Sequence, residues 1–124
     1  MKKYIILLIL VLVTSVGFSQ DPTLIRVIDP TLYELQISAE KVQLIDVRTP
    51  EEFKEGHIEA AENIDFLAEG FLPKFKKFDK NKPLYIYCRS GNRSSKAAAK
   101  FSEMGFSKII DLEGGYKAWT ARER

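Results

Sequence analysis

Residues 87–95 read YCRSGNRSS and hold the chain's one cysteine, Cys88, in a short polar segment with two arginines, a glycine and an asparagine. A thiol attacks as its thiolate, and an ordinary cysteine of pKa about 8.5 is only about 3% thiolate at pH 7. Lowering that pKa by roughly two units requires about 2.7 kcal/mol of selective stabilisation of the anion. A helix N-terminus offers about 0.3–1 kcal/mol, and each hydrogen bond to a charged group about 1.5–3 kcal/mol. Gly91 and Asn92 tolerate positive φ, so the backbone can curl into a nest of inward N–H groups. Arg89 and Arg93 add fixed positive charge able to fork onto an oxyanion, and Ser94 or Ser95 suits the N-cap of a following helix. The segment therefore has the means to activate Cys88 without a histidine base. By itself it could also suit a phosphatase, a redox sensor or a buried structural cysteine.

The elements around it decide where such a loop would sit. VQLIDV (42–47), PLYIYC (83–88) and KIIDL (108–112) are near-continuous apolar runs, as expected of strands covered on both faces, and LIRVI (24–28) and NID (63–65) suggest two more. Asp29-Pro30 opens one helix. Thr49 with Glu52 has capping-box spacing around Pro50 and opens a second. Leu67 to Phe78 carries Phe71, Leu72, Phe75 and Phe78 at helical spacing, with Pro73 marking a start or a break. Ser94 to Met104 predicts an amphipathic helix with Ala97, Ala98, Phe101 and Met104 inward and Gly105 at its end. This alternation predicts an α/β domain with a mainly parallel central sheet and places Cys88 at the carboxyl end of a strand, where ligands sit in such sheets.

The chain has 124 residues, with 19 basic against 17 acidic side chains. Its first segment has Lys2 and Lys3, ten apolar residues from Tyr4 to Val13, and then small residues including Gly17 and Ser19. We expect residues 1–19 to be a signal peptide removed after Ser19, with residues 20–124 one domain exported to the periplasm or beyond. The apolar run falls short of the roughly 20 residues needed to span a bilayer, so no membrane segment is expected after cleavage. Loss of Lys2 and Lys3 would leave charges balanced, which argues against a nucleic-acid surface. A single cysteine excludes an intramolecular disulfide and a dithiol redox centre within one chain. A small domain without an evident apolar patch is expected to be a monomer.

Three blocks in order, LIDVRTPEEFKEGHIEAAENI (44–64), YCRSGNRSS (87–95) and LEGGYKAW (112–119), resemble the signatures of the single-domain rhodaneses, a sulfurtransferase family. The resemblance covers essentially the whole region after residue 20. It implies a rhodanese-like fold in which helices cover both faces of the sheet. It further implies that Cys88 is the nucleophile that takes a sulfane sulfur from a small anionic donor such as thiosulfate. The resulting persulfide passes its outer sulfur to cyanide or a thiol, a protein thiol being one candidate acceptor. By the same resemblance, the backbone of Arg89, Ser90, Gly91, Asn92, Arg93 and Ser94 would hold the persulfide, and the arginines would assist the anionic donor. Asp46 and Arg48 would support the loop through an ion pair, with Glu52 a candidate partner for Arg48. No cofactor and no metal is implied. Four residues separate Cys88 from Arg93, whereas related cysteine phosphatases have five, so phosphatase or arsenate reductase chemistry is disfavoured. A binding module or sulfur carrier with little turnover is the alternative. His57, Gly114, Gly115 and Trp119 read as packing or backbone requirements.

Overall fold

The computed structural model describes residues 22–122. The expected signal segment, residues 1–19, lies outside them. In chain order the elements are β1 (Leu24–Ile28), α1 (Pro30–Ala39), β2 (Gln43–Asp46), α2 (Pro50–Glu55), β3 (Glu62–Asn63), a 3₁₀ helix (Leu72–Lys77), β4 (Leu84–Tyr87), α3 (Asn92–Glu103), β5 (Lys108–Leu112) and α4 (Gly115–Ala121). The strands form one sheet in the order β1-β5-β4-β2-β3, with every pairing parallel. Because each strand sends its chain across a helix before returning, the carboxyl ends of β2, β4 and β5 lie along one edge.

Local chemistry explains the helix starts. The Asp29 carboxylate accepts from the Leu32 amide at 2.9 Å, with Pro30 at the first helical position. At α2 the capping box is complete: Thr49 Oγ1 accepts from the Glu52 amide at 3.3 Å, and Glu52 accepts from the Thr49 amide at 3.3 Å. Alternation along the strands then sorts the core onto two faces. Ile45, Leu84, Ile86, Cys88 and Ile109 lie under Ala97, Ala98 and Phe101 of α3, together with Phe71 and Phe75. Leu44, Tyr85, Tyr87, Ile110 and Leu112 lie under Tyr33 of α1 and Trp119 of α4. Helices therefore cover both faces of a parallel sheet, as expected.

Two elements differ from their expected form. The helix expected across Leu67 to Phe78 is a single 3₁₀ stretch beginning at Leu72. Pro73 lacks an N–H and starts the helix rather than continuing one, and Gly70 at φ +72° turns the chain before it. Burial of Phe75, whose ring centroid is 4.3 Å from that of Phe101, holds so short a helix in place. The helix after the cysteine begins at Asn92, two residues before the expected start, with left-handed Gly91 as its N-cap residue and no side-chain cap. Asn92 is thus helical rather than part of the positive-φ curl. Neither Ser94 nor Ser95 is its N-cap, since both lie inside the helix.

Candidate active site

Cys88 follows the last residue of β4 and is 1% exposed. Its Sγ accepts a hydrogen bond from the Gly91 amide at 3.0 Å and lies 3.3 Å from Ser94 Oγ, which is also 3.3 Å from the Gly91 carbonyl. Gly91, left-handed at φ +104°, turns the chain from this loop directly into α3 while its amide faces the sulfur. A Cβ there would meet nothing within 4 Å, so the requirement is conformational and not steric.

The outer side of the loop is held by α4. The Tyr116 amide donates to the Cys88 carbonyl at 2.8 Å, and the Lys117 amide donates to the Arg89 carbonyl at 3.0 Å. This approach leaves no room beside Gly115, where a Cβ would fall 2.5 Å from the Cys88 oxygen and from Arg89 backbone atoms. The Gly-Gly pair, expected only to ease entry into the last helix, therefore also lets that helix dock on the cysteine loop.

On the β2 side, Asp46 and Arg48 form a closed unit. Arg48 Nε donates to both Asp46 oxygens at 3.0 Å, its terminal nitrogen NH2 to Oδ2 at 2.6 Å, and its amide to Oδ1 at 2.9 Å. The same NH2 donates to the Gly56 carbonyl at 2.7 Å, and the guanidinium lies 4.2 Å from the centroid of the Tyr116 ring. This pair ties β2 to the end of α2 and to α4, which supports the loop from behind. Arg48 does not pair with Glu52 as suggested: Asp46, the last residue of β2 and two residues before it, takes its guanidinium. Glu52 instead holds Arg93, with NH1 to Oε1 at 2.7 Å and NH2 to Oε2 at 2.9 Å. That hydrogen-bonded fork lowers the Glu52 carboxyl from 4.5 to about 2. Both terminal nitrogens of Arg93 are thereby engaged, so its observed geometry positions the first turn of α3 against α2.

Among the remaining expected site residues, Arg89, Ser90 and Asn92 are exposed. Arg89 shares a cleft of about 390 Å³ with Arg48, Glu52, Glu55, Tyr116 and Lys117 beside the loop. His57 lies apart from the thiol, stacked on Phe53 with ring centroids 3.7 Å apart and Nδ1 at 2.9 Å from the Phe53 carbonyl. Trp119 packs on the Tyr33 side of the sheet, opposite the side that carries Cys88.

Three contributing residues were not singled out from the sequence. Tyr87 accepts from the Ile58 amide at 3.0 Å, and Tyr116 stacks on Arg48; each tyrosine lies within a recognised block, but nothing in its type marks it. Asp111 is the third: 3% exposed, with Oδ1 buried and without a partner in hydrogen-bond geometry. Burial pushes its carboxyl from 3.8 up to about 6, against the downward pull of nearby Ser94 and the Leu112 amide. The one acid within the apolar run KIIDL was the available signal.

The rhodanese-like domain pattern matches residues 29–122. The protein YqhL of Bacillus subtilis is 38% identical over 86 residues, covering 69% of this chain and 67% of that one. Thiosulfate sulfurtransferase GlpE of Pseudomonas aeruginosa is 34% identical over 84 residues, covering 68% and 74% respectively. Among solved structures, a rhodanese-related protein from Thermoplasma volcanium superposes with a TM-score of 0.68 at 31% identity, covering 77% of this chain and 91% of that one. With the domain pattern running from the first helix to the end of the last, and a parallel sheet shared with a solved relative, the chain belongs to the rhodanese-like family.

Proposed function

We propose that the protein is a sulfurtransferase that carries sulfane sulfur as a persulfide on Cys88. The observation that supports this most is the paired approach of the Gly91 amide and the Ser94 hydroxyl to Sγ, at 3.0 and 3.3 Å, in a loop closed behind by α4. Oriented donors around a sulfur favour its anion. With thiosulfate, the thiolate attacks the outer sulfur, a new S–S bond forms, the bond to the sulfonate group breaks, and sulfite leaves with that electron pair. A thiolate or cyanide then attacks the outer persulfide sulfur and restores the Cys88 thiolate. Relatives named as thiosulfate sulfurtransferases support this choice of donor. Arg89 and Lys117 supply two cations beside the loop, in a cleft that also carries Glu52 and Glu55.

Mass spectrometry after incubation with thiosulfate tests the reading. We expect a one-sulfur gain on Cys88, reversed by a thiol or cyanide and absent in Cys88→Ser. No adduct from any sulfane donor would favour a binding module instead. We also propose that the protein is exported, on the strength of the Lys2–Ser19 pattern. N-terminal sequencing of the protein produced in a secreting host should begin at Gln20, and a retained Met1 would refute it.

A further inference from the structure

The charges of this chain nearly balance in number but not in place. Residues 40–69 hold nine acids against three basic side chains, whereas residues 70–100 hold nine basic side chains against one acid, Asp79. The acidic block runs through β2, α2 and β3 at one end of the sheet order, and the basic block through the 3₁₀ helix, β4, the cysteine loop and α3. The 3₁₀ helix and α3 lie together on the sheet face that carries Cys88, in contact through Phe75 and Phe101. Two of the nine bases make ion pairs, Arg93 with Glu52 and Lys77 with Glu62, and both pairs reach into the acidic block. They mark the border between the blocks. The other bases, exposed Lys74, Lys76, Lys96 and Lys100 among them, make no ion pair among the described residues.

On α3, Arg93, Lys96 and Lys100 are spaced by three and four residues, so they stand on one stripe of a helix that begins at the cysteine loop. Arg89, exposed next to Cys88, adds a cation at the loop itself. We propose that the face formed by α3 and the 3₁₀ helix is the docking surface for an acidic protein whose thiol takes the sulfur from Cys88. The inference rests on the reading of Cys88 as a persulfide carrier and adds the chemistry of the acceptor.

The kind of partner follows from what the face offers. Phe71 and Phe75 are buried and Leu72 and Phe78 half-buried, so these aromatic elements present lysines and no exposed apolar anchor. Recognition there is electrostatic. Carboxylates around a partner's cysteine are drawn to such a face, most strongly at low ionic strength. The acidic block beside it turns away a uniformly negative surface such as a phospholipid bilayer or a nucleic acid, and neither of these has a sulfur to exchange. Carboxylates beside a thiol disfavour its thiolate, and the lysines of the docked face counter that at the moment of attack. The acceptor thiolate attacks the outer sulfur of the Cys88 persulfide. A new S–S bond forms on the acceptor as the bond to Sγ breaks, and its electron pair leaves Cys88 as thiolate. No oxidant or reductant is consumed.

The test offers three heptapeptides to the persulfide form of the whole protein, each with a central cysteine flanked by glutamate, serine or lysine. At about 20 mM salt the glutamate peptide should take sulfur about tenfold faster per thiolate than the serine peptide, with the lysine peptide slowest, and the order should flatten at about 300 mM. Lys96→Gln combined with Lys100→Gln should cut the glutamate preference about threefold and leave transfer to uncharged 2-mercaptoethanol unchanged. Equal rates for the three peptides, or a preference that the double variant leaves intact, overturn the proposal. A second arm needs no sulfur chemistry: the glutamate peptide, with serine in place of cysteine, is titrated into nitrogen-15-labelled protein. Amide shifts should gather on α3 and the 3₁₀ helix, and their absence refutes the docking face whether or not Cys88 accepts sulfur. Shifts without any persulfide formation would keep the acidic partner and remove the sulfur-transfer reading. Co-sedimentation with phosphatidylglycerol vesicles, where the glutamate peptide gives no shifts, assigns the face to a membrane and overturns the proposal.

Discussion

Asp46 and Asp111 flank the same central strand, one on β2 and one on β5, and both are buried, at 0% and 3% exposure. Asp46 is met by the guanidinium and amide of Arg48, so its charge is fully engaged. Among the described residues no cation pairs with Asp111, and its Oδ1 is without a partner. Equal depth thus gives opposite chemistry. An arginine two residues away makes one aspartate a fixed brace, while its absence leaves the other free to change protonation state.

Breaking the brace should have the largest effect. Arg48→Ala strands the Asp46 charge in the interior and should cost about 3–5 kcal/mol, a large share of a small domain's stability. Denaturant unfolding measures this, and a loss under about 1 kcal/mol would mean that the two aspartates are less different than their contacts indicate.

A smaller effect, distinguished by its pH dependence, belongs to Asp111. Its folded carboxyl is raised from 3.8 to about 6, so between these values the folded state binds more protons than the unfolded state. Stability contributed by the protonated acid is present below pH 3.8 and lost as the pH rises through about 6. Asp111→Asn cannot ionise, so its stability relative to wild type should improve by roughly 2–3 kcal/mol between pH 3.5 and 7. A difference that stays flat with pH would show that the carboxyl titrates normally.

The partly exposed pair of Glu52 and Arg93 sharpens the comparison from the other direction. Glu52→Gln should cost only about 0.5–1 kcal/mol near neutral pH. Because the folded carboxyl is depressed from 4.5 to about 2, that difference should vanish as the pH falls through this window. Unfolding midpoints of both proteins at pH 6 and pH 2 check it; persistence of the gap in acid would place the cost in packing.

The strands and the cysteine loop were legible because their signals are local. Apolar runs marked β2, β4 and β5, Thr49 with Glu52 marked a helix start, and Gly91 marked a turn. What could not be read depends on which neighbours the sheet order supplies. Arg48 has an acid at two residues' distance in Asp46 and another at four in Glu52, and only the third dimension assigns Glu52 to Arg93, 41 residues away. Likewise, Gly115 reads as a turn former until α4 is seen against the Cys88 and Arg89 carbonyls. The 3₁₀ stretch shows the limit of periodicity: its aromatic spacing was helical, but proline and a left-handed glycine restricted it to Leu72–Lys77.

The sheet order has a consequence for the growing chain. β1, the first strand described, has β5 as its neighbour, so Leu24 pairs with Lys108 across nearly the whole domain. As the domain emerges vectorially, Leu24, Ile25 and Val27 appear well before the β5 residues that give them backbone partners. Joining elements so far apart in sequence slows folding and prolongs exposure of an adhesive strand. Completion of the sheet and docking of α4 on the cysteine loop are thus late, nearly simultaneous events. A partly synthesised chain would carry Cys88 before it had the structure that governs its reactivity.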